Sequence, residues 1–232
     1  MKLFKFVSLA GKKRLERVIK TLQDGMFYCS DYRDLNDPME GIYKQSGLKD
    51  DVLKEIYDAK QKFRICSFSA LESAIHQKAL PMWAHYANNF CGCAIEIEVE
   101  DSRIDSPDSP YRSVKYLSEI DYKNELQRLK EDGKNPADIA KEILRTKLDS
   151  WEYENEYRFI TSDYKDYHII GEIKAIWVYL DGRANSGTRR KRRITPMNYR
   201  ALDEAIRKKN SELKKSHKKY DFETINFKHF AN

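Results

Sequence analysis

"RICSFSALESAIHQKALPMWAHYANNFCGCAIEIEVE", residues 64–100, decides how the chain is read. Its first six residues suit an extended strand. "ALPMWAHYANN" (79–89) has the apolar spacing of a short helix, and "CGCAIEIEVE" (91–100) alternates apolar and acidic residues with the period of two that a strand requires. Along the chain the order is strand–helix–strand, then several strands with a helix inserted between them, which suits an α+β split sheet rather than a doubly wound nucleotide fold. Neither G-x-G-x-x-G nor G-x-x-x-x-G-K-[ST] occurs, which excludes the two glycine-rich phosphate cradles.

The pattern continues outward. "KLFKFVS" (2–8) reads as a strand, and "KKRLERVIKTLQDG" follows as a helix with Leu15, Val18, Ile19 and Leu22 on one face and Gly25 at its end. "MFYCS" (26–30) is a further strand, "LKDDVLKEIYDAKQKF" (48–63) a helix, and "VKYLSEIDY" (114–122) a strand. Asn135 and Pro136 mark the start of a helix over 134–151. Strands follow over 155–162 and 169–181, the second carrying the apolar run Ala175–Val178 of a strand buried on both faces. A basic loop (about 183–194), a helix (198–215) and a strand (220–227) close the chain. With 232 residues, 41% of them hydrophobic, and no linker or repeat, the expectation is one α+β domain over 1–232: a split, mostly antiparallel sheet with flanking helices.

The net charge of +6 is concentrated late, in Arg189, Arg190, Lys191, Arg192 and Arg193 and in the lysine-rich segment 207–219. Such clusters neutralise phosphates, so nucleic acid is a candidate partner, with a solvated loop as the plainer reading. No run approaches the roughly 20 apolar residues of a membrane span. The opening segment lacks the apolar core of a signal peptide, and the four cysteines lack metal-ligand spacing. A cytoplasmic protein with reduced thiols, no membrane contact and no bound metal is expected.

Two segments carry groups suited to chemistry. In "CSFS", Ser67 and Ser69 share one strand face, where paired hydroxyls can hold a sugar or phosphate edge. In "SWEYENEYRFIT" (150–161), an extended chain puts Glu154, Glu156 and Arg158 on one face, where the guanidinium keeps a carboxylate ionised and able to accept a hydrogen bond from a hydroxyl. A salt bridge along the strand is the competing reading. His85, the titratable member of "MWAHYA", adds a candidate catalytic group, and Trp83, Tyr86 or Tyr28 could stack on a flat ring. Asn36 and Asp37 lie in the turn "LNDPMEG", a natural place for a substrate loop. Glu96 and Glu98 alternate with Ile95, Ile97 and Val99 as on any half-exposed strand and are discounted as a site, although convergence with Glu154, Glu156 and Asp37 would suit Mg²⁺ and nuclease chemistry.

The motifs "FYCS" then "LNDPME", "ICSFS", "MWAHYANNFCGCAIEIE" and "WEYENEYRFI", in that order, resemble the domain-of-unknown-function 2971 family over roughly residues 3 to 180. The layout is also similar, more distantly, to the ADP-ribosyltransferase fold: strand, helix, strand, a Ser-x-Ser strand, and a late Glu-x-Glu. That resemblance implies an ADP-ribosyltransferase-like enzyme with NAD as substrate and a protein or nucleic-acid acceptor. Ser67 and Ser69 would organise the nicotinamide ribose, Glu156 would be the catalytic carboxylate, and Glu154 its companion toward the acceptor. The first strand offers Lys2 and Lys5 where one class of that fold has an arginine. His85 and Tyr86 fall in a helical segment, out of the order another class uses.

Overall fold

A computed structural model describes residues 1–35, 50–179, 196–213 and 221–225. In chain order the elements are β1 (Lys2–Ser8), α1 (Lys12–Asp24), β2 (Met26–Tyr28), α2 (Asp50–Gln61), β3 (Arg64–Ser69), α3 (Leu80–His85), β4 (Gly92–Glu98), β5 (Tyr111–Ser113) and β6 (Lys115–Leu117). There follow α4 (Glu119–Glu131), α5 (Pro136–Ile143), β7 (Thr146–Leu148), β8 (Glu156–Thr161), β9 (Tyr167–Ile169), β10 (Glu172–Tyr179), α6 (Pro196–Leu213) and β11 (Asp221–Ile225). The fold is α+β, with mostly antiparallel strands and flanking helices, as the sequence led us to expect. The chain divides into two compact units: Met1–Phe27, Phe68–Glu100 and Ile169–Asn232 form the first, Tyr28–Ser67 and Asp101–His168 the second.

In the first unit the strand order is β11-β10-β4-β1. β4 is antiparallel to both β1 and β10, with Phe4 opposite Glu96, while β10 and β11 run parallel. Paired on both sides, β4 is buried from Gly92 through Ile97. This corrects the expectation of a half-exposed strand: Glu96 is only 6% exposed, with the Trp177 Nε1–H donating to its Oε2 at 2.9 Å and Lys2 Nζ 3.3 Å from its Oε1. One sheet face, through Phe4, Phe6 and Ala94, packs on Met82 and Trp83 of α3. α1 buries Val18, Thr21 and Leu22 at helical spacing and ends at Gly25, whose φ of 70° and N–H bond to Thr21 O form a left-handed cap.

After α3 the backbone holds Asn88, Asn89 and Phe90 consecutively at φ 51°, 51° and 68°. Three residues other than glycine in this region are costly and persist only where surroundings hold them. Here the Asn89 and Phe90 amides donate to Ala84 O and Trp83 O, and the Phe90 ring stacks on Trp83 at 6.1 Å. This left-handed turn replaces the last part of the helix expected over 79–89. Gly92 then enters β4 with its Cα against β1, where a Cβ would stand 2.1 Å from Val7 O.

In the second unit β8 pairs antiparallel with β5, β6 parallel with β7, and the β3 residues that belong to this unit lie beside β8. α2, α4 and α5 share a core of Leu53, Ile56, Tyr122, Leu126, Ile139 and Ile143. α4 and β7 depart from expectation: of the strand read over 114–122 only Lys115–Leu117 is extended and residues 119–122 open α4, and the helix read over 134–151 stops at Ile143. None of the four cysteines is in a disulfide, and burial pushes the Cys93 thiol up to about 12. No described helix is long and apolar enough to cross a membrane. Lys60 is 1% exposed, with its Nζ 4.4 and 4.6 Å from the Tyr32 and Tyr57 ring centroids. Burial lowers its pKa from 10.5 to about 8.

Two outcomes follow. Gly92→Ala forces a methyl group against a backbone carbonyl and should cost about 3 kcal/mol in urea denaturation. Lys60 binds its proton less tightly folded than unfolded, so its burial penalty is present below about pH 8 and fades as pH rises toward 10.5. Lys60→Met should therefore stabilise near neutral pH by ~2 kcal/mol, net of the lost ring contacts, and this gain should shrink above pH 8.

Candidate functional site

The charged groups of "SWEYENEYR" meet inside the second unit, but not as alternate residues of one strand. Asp149–Glu154 form 3-10 helix, and Asn155 ends it in the left-handed conformation at φ 42°. β8 therefore starts at Glu156, and Glu154 approaches it from the preceding turn. This corrects the extended reading of 154–160 while still bringing the two carboxylates together.

Lys147, on β7, joins them. Its Nζ is 2.7 Å from Glu154 Oε2 and 2.8 Å from Glu156 Oε2. Arg158, two residues along β8 from Glu156, forks onto that carboxylate, Nε to Oε1 at 2.8 Å and Nη2 to Oε2 at 3.0 Å, while its Nη1 donates to the Leu144 carbonyl. The Glu156 N–H donates to Tyr116 Oη at 2.8 Å, and the Ser67 hydroxyl donates to the Glu156 carboxylate. Trp151 lays its ring 5.3 Å from Lys147 Nζ. Exposure is 3% for Lys147, 1% for Glu154, 5% for Glu156 and 1% for Arg158. Two buried anions are thus matched by two buried cations, which is what makes ionised groups tolerable away from water.

Burial, with the neighbouring Glu154 adding to it, holds the Glu156 carboxyl above its ordinary value against the pull of Lys147 and Ser67. Burial also raises the Tyr116 phenol. Among the named partners of Glu156, Ser67 and Tyr116 are half-buried, whereas Lys147 and Arg158 are enclosed.

The second unit therefore brings together Ser67, Glu154, Glu156 and Arg158; Tyr28 is there too, half-buried, with its ring edge-on to Tyr167 at 5.6 Å. The other described candidates belong to the first unit. Ser69 is 2% exposed and opposite Phe4. Trp83 is fully enclosed, edge-on to Phe6 and donating its Nε1–H to Ala74 O, so both of its ring faces lie in the core rather than open to a ligand. His85 is exposed at the end of α3 with the half-buried Tyr86 edge-on at 6.5 Å. Asn36, Asp37 and Arg189–Arg193 lie outside the described residues. On α6, Arg207 pairs with Asp203 and Lys209 donates to Gln23 O. Among the described residues no group of three or more His, Cys, Asp and Glu is placed to hold a metal ion.

Lys147, Tyr116 and the role of Trp151 were missed by the sequence reading. The helix read over 134–151 and the strand read over 114–122 gave neither Lys147 nor Tyr116 a role. Arg158→Met should cost about 3 to 5 kcal/mol in urea denaturation, because it leaves buried Glu156 without its fork. Arg158→Lys should recover only part of this, since an ammonium lacks the planar pair of donors.

No curated protein and no solved structure matches the chain. Residues 82–159 include Trp83, His85, Lys147, the Glu154–Glu156 pair and Arg158. That stretch matches the family described as "Protein of unknown function (DUF2971)", which bears out the family resemblance drawn from the motifs.

Proposed function

We propose that the chain is an ADP-ribosyltransferase-like enzyme that takes NAD as substrate and modifies a macromolecular acceptor. The observation that carries this reading is the contact between Ser67 and Glu156, which joins the hydroxyl-bearing strand to the acidic one. The finer fold assignment, a split sheet of the ADP-ribosyltransferase kind, belongs to the same proposal and draws on β3 lying beside β8.

The chemistry asks for what this cluster offers. The bond from ribose C1′ to the nicotinamide nitrogen breaks, its electron pair leaves with nicotinamide as a neutral ring, and positive charge builds on the ribose. The acceptor's nucleophile, or water, adds to C1′ and gives up a proton. A fixed carboxylate hydrogen-bonded to the ribose hydroxyls stabilises that charge electrostatically, the larger part of what such sites contribute. In this reading Glu156 is that carboxylate, Ser67 shares the ribose contact on its half-buried side, Glu154 faces the acceptor, and Tyr28 is a candidate ring to stack on nicotinamide.

NAD labelled in the adenylate, incubated with the full chain and a protein or nucleic-acid mixture, should give label transfer or nicotinamide release. Glu156→Gln should lower the rate about 10²- to 10³-fold and Ser67→Ala by about tenfold, with circular dichroism confirming that each variant is folded. Absence of both NAD binding and turnover in the wild type would overturn the proposal.

A further inference from the structure

We infer that Lys147 is the positioning residue of this cluster: its ammonium holds Glu154 and Glu156 ionised together, so that both act as acceptors rather than sharing one proton. The consequence for turnover rests on the NAD reading above, whereas the protonation state itself does not.

The argument starts from the geometry. Both carboxylates reach the same nitrogen, one at 2.7 Å and the other at 2.8 Å, so they are near neighbours in a place that water barely enters. Two carboxylates brought this close away from water do not both ionise unaided; one keeps its proton well above the ordinary carboxylate range. A protonated carboxyl is a donor on one oxygen, and it can no longer offer full negative charge to a developing cation. The groups facing Glu156 are known from each neighbouring element: Lys147 from β7, Glu154 from the 3-10 turn, Arg158 from β8 itself, Ser67 from β3 and Tyr116 from β6. Arg158 forks onto Glu156, while Lys147 is the group that spans both acids. Lys147 is also the largest influence drawing the Glu156 carboxyl down, against a burial that leaves it raised.

Lys147 does not need to touch substrate for this role. Its side chain is 4% exposed, and Trp151 covers it with a ring face, which favours the charged amine. β7 holds the nitrogen in place through the backbone: Lys147 sits at the centre of the three-residue β6–β7 ladder, opposite Tyr116. The same ladder thus sets both the ammonium and the phenol that receives the Glu156 N–H.

Infrared spectroscopy of the full chain, without substrate, tests the protonation state. Wild type at about pH 6 should show no protonated-carboxyl band that Glu154→Gln removes. Lys147→Met should gain such a band, lost again on raising the pH and absent from the Lys147→Met/Glu154→Gln double variant; Lys147→Arg should resemble wild type. Should Lys147→Met fail to fold, Lys147→Gln removes the charge with less loss of polarity, and the wild-type spectrum decides in either case. A band of this kind in wild type, or none in a folded charge-removing variant, overturns the inference. Where wild type releases nicotinamide, the rate in Lys147→Met should fall about tenfold per pH unit below the raised carboxyl pKa while the wild-type profile stays flat, and Lys147→Arg should restore it. A wild type without turnover but with the expected spectra would remove the NAD reading and leave this one standing.

Discussion

The second unit is organised around the balance of charge between Lys147, Arg158, Glu154 and Glu156. None of these could be buried alone, because an unpaired ion away from water costs several kcal/mol. Each therefore dictates where the others go. Arg158 ties β8 to the chain leaving α5 through the Leu144 carbonyl, and Lys147 ties β7 to the turn before β8. The short strands β6 and β7, three residues each, would form little structure unaided; the ionic cluster at their centre gives them a fixed partner.

This arrangement explains why the W-x-x-E-x-E-x-R spacing reads as a unit. Trp151 covers the lysine, Glu154 and Glu156 bracket it, and Arg158 completes the second carboxylate's hydrogen bonds. The turn at Asn155 is what allows residues two apart to point at one nitrogen instead of running along a strand face. In the proposed reading the same features would serve structure and chemistry together, since groups that are rigid and already desolvated need no reorganisation when charge develops beside them. Of the groups that hold Glu156, Ser67 and Tyr116 are half-buried, while Lys147 and Arg158 are enclosed.

Much of the first unit was legible because its signals are local. β1 was read with its observed limits, and α1 with its glycine cap. β10 was recognised from its apolar run and β4 from its alternation, though alternation alone placed Glu96 in water. The burial of Glu96 depends on strands on both sides of β4, which no local pattern records. In the second unit, α4 carried a readable start, Ser118 accepting from the Asp121 amide, that was absorbed into a strand. Leu144, Leu148 and Trp151 sit at helical spacing beyond α5, so the period of that segment pointed the wrong way; pairing with β6 overrides it. Of the site, Ser67, Glu154, Glu156 and Arg158 were named from their types and spacing, while Lys147 and Tyr116 depend on tertiary pairing alone.

The left-handed run Asn88–Phe90 fixes more than a change of direction. It delivers Gly92 to β1 in a single phase, with Ile95 and Ile97 on one side of the sheet and Ala94 and Glu96 on the other. One residue more or fewer in this link would exchange the two sides along the whole of β4, sending a carboxylate where an isoleucine now packs. The number of residues from Tyr86 to Gly92 is therefore part of what sets the register of the sheet.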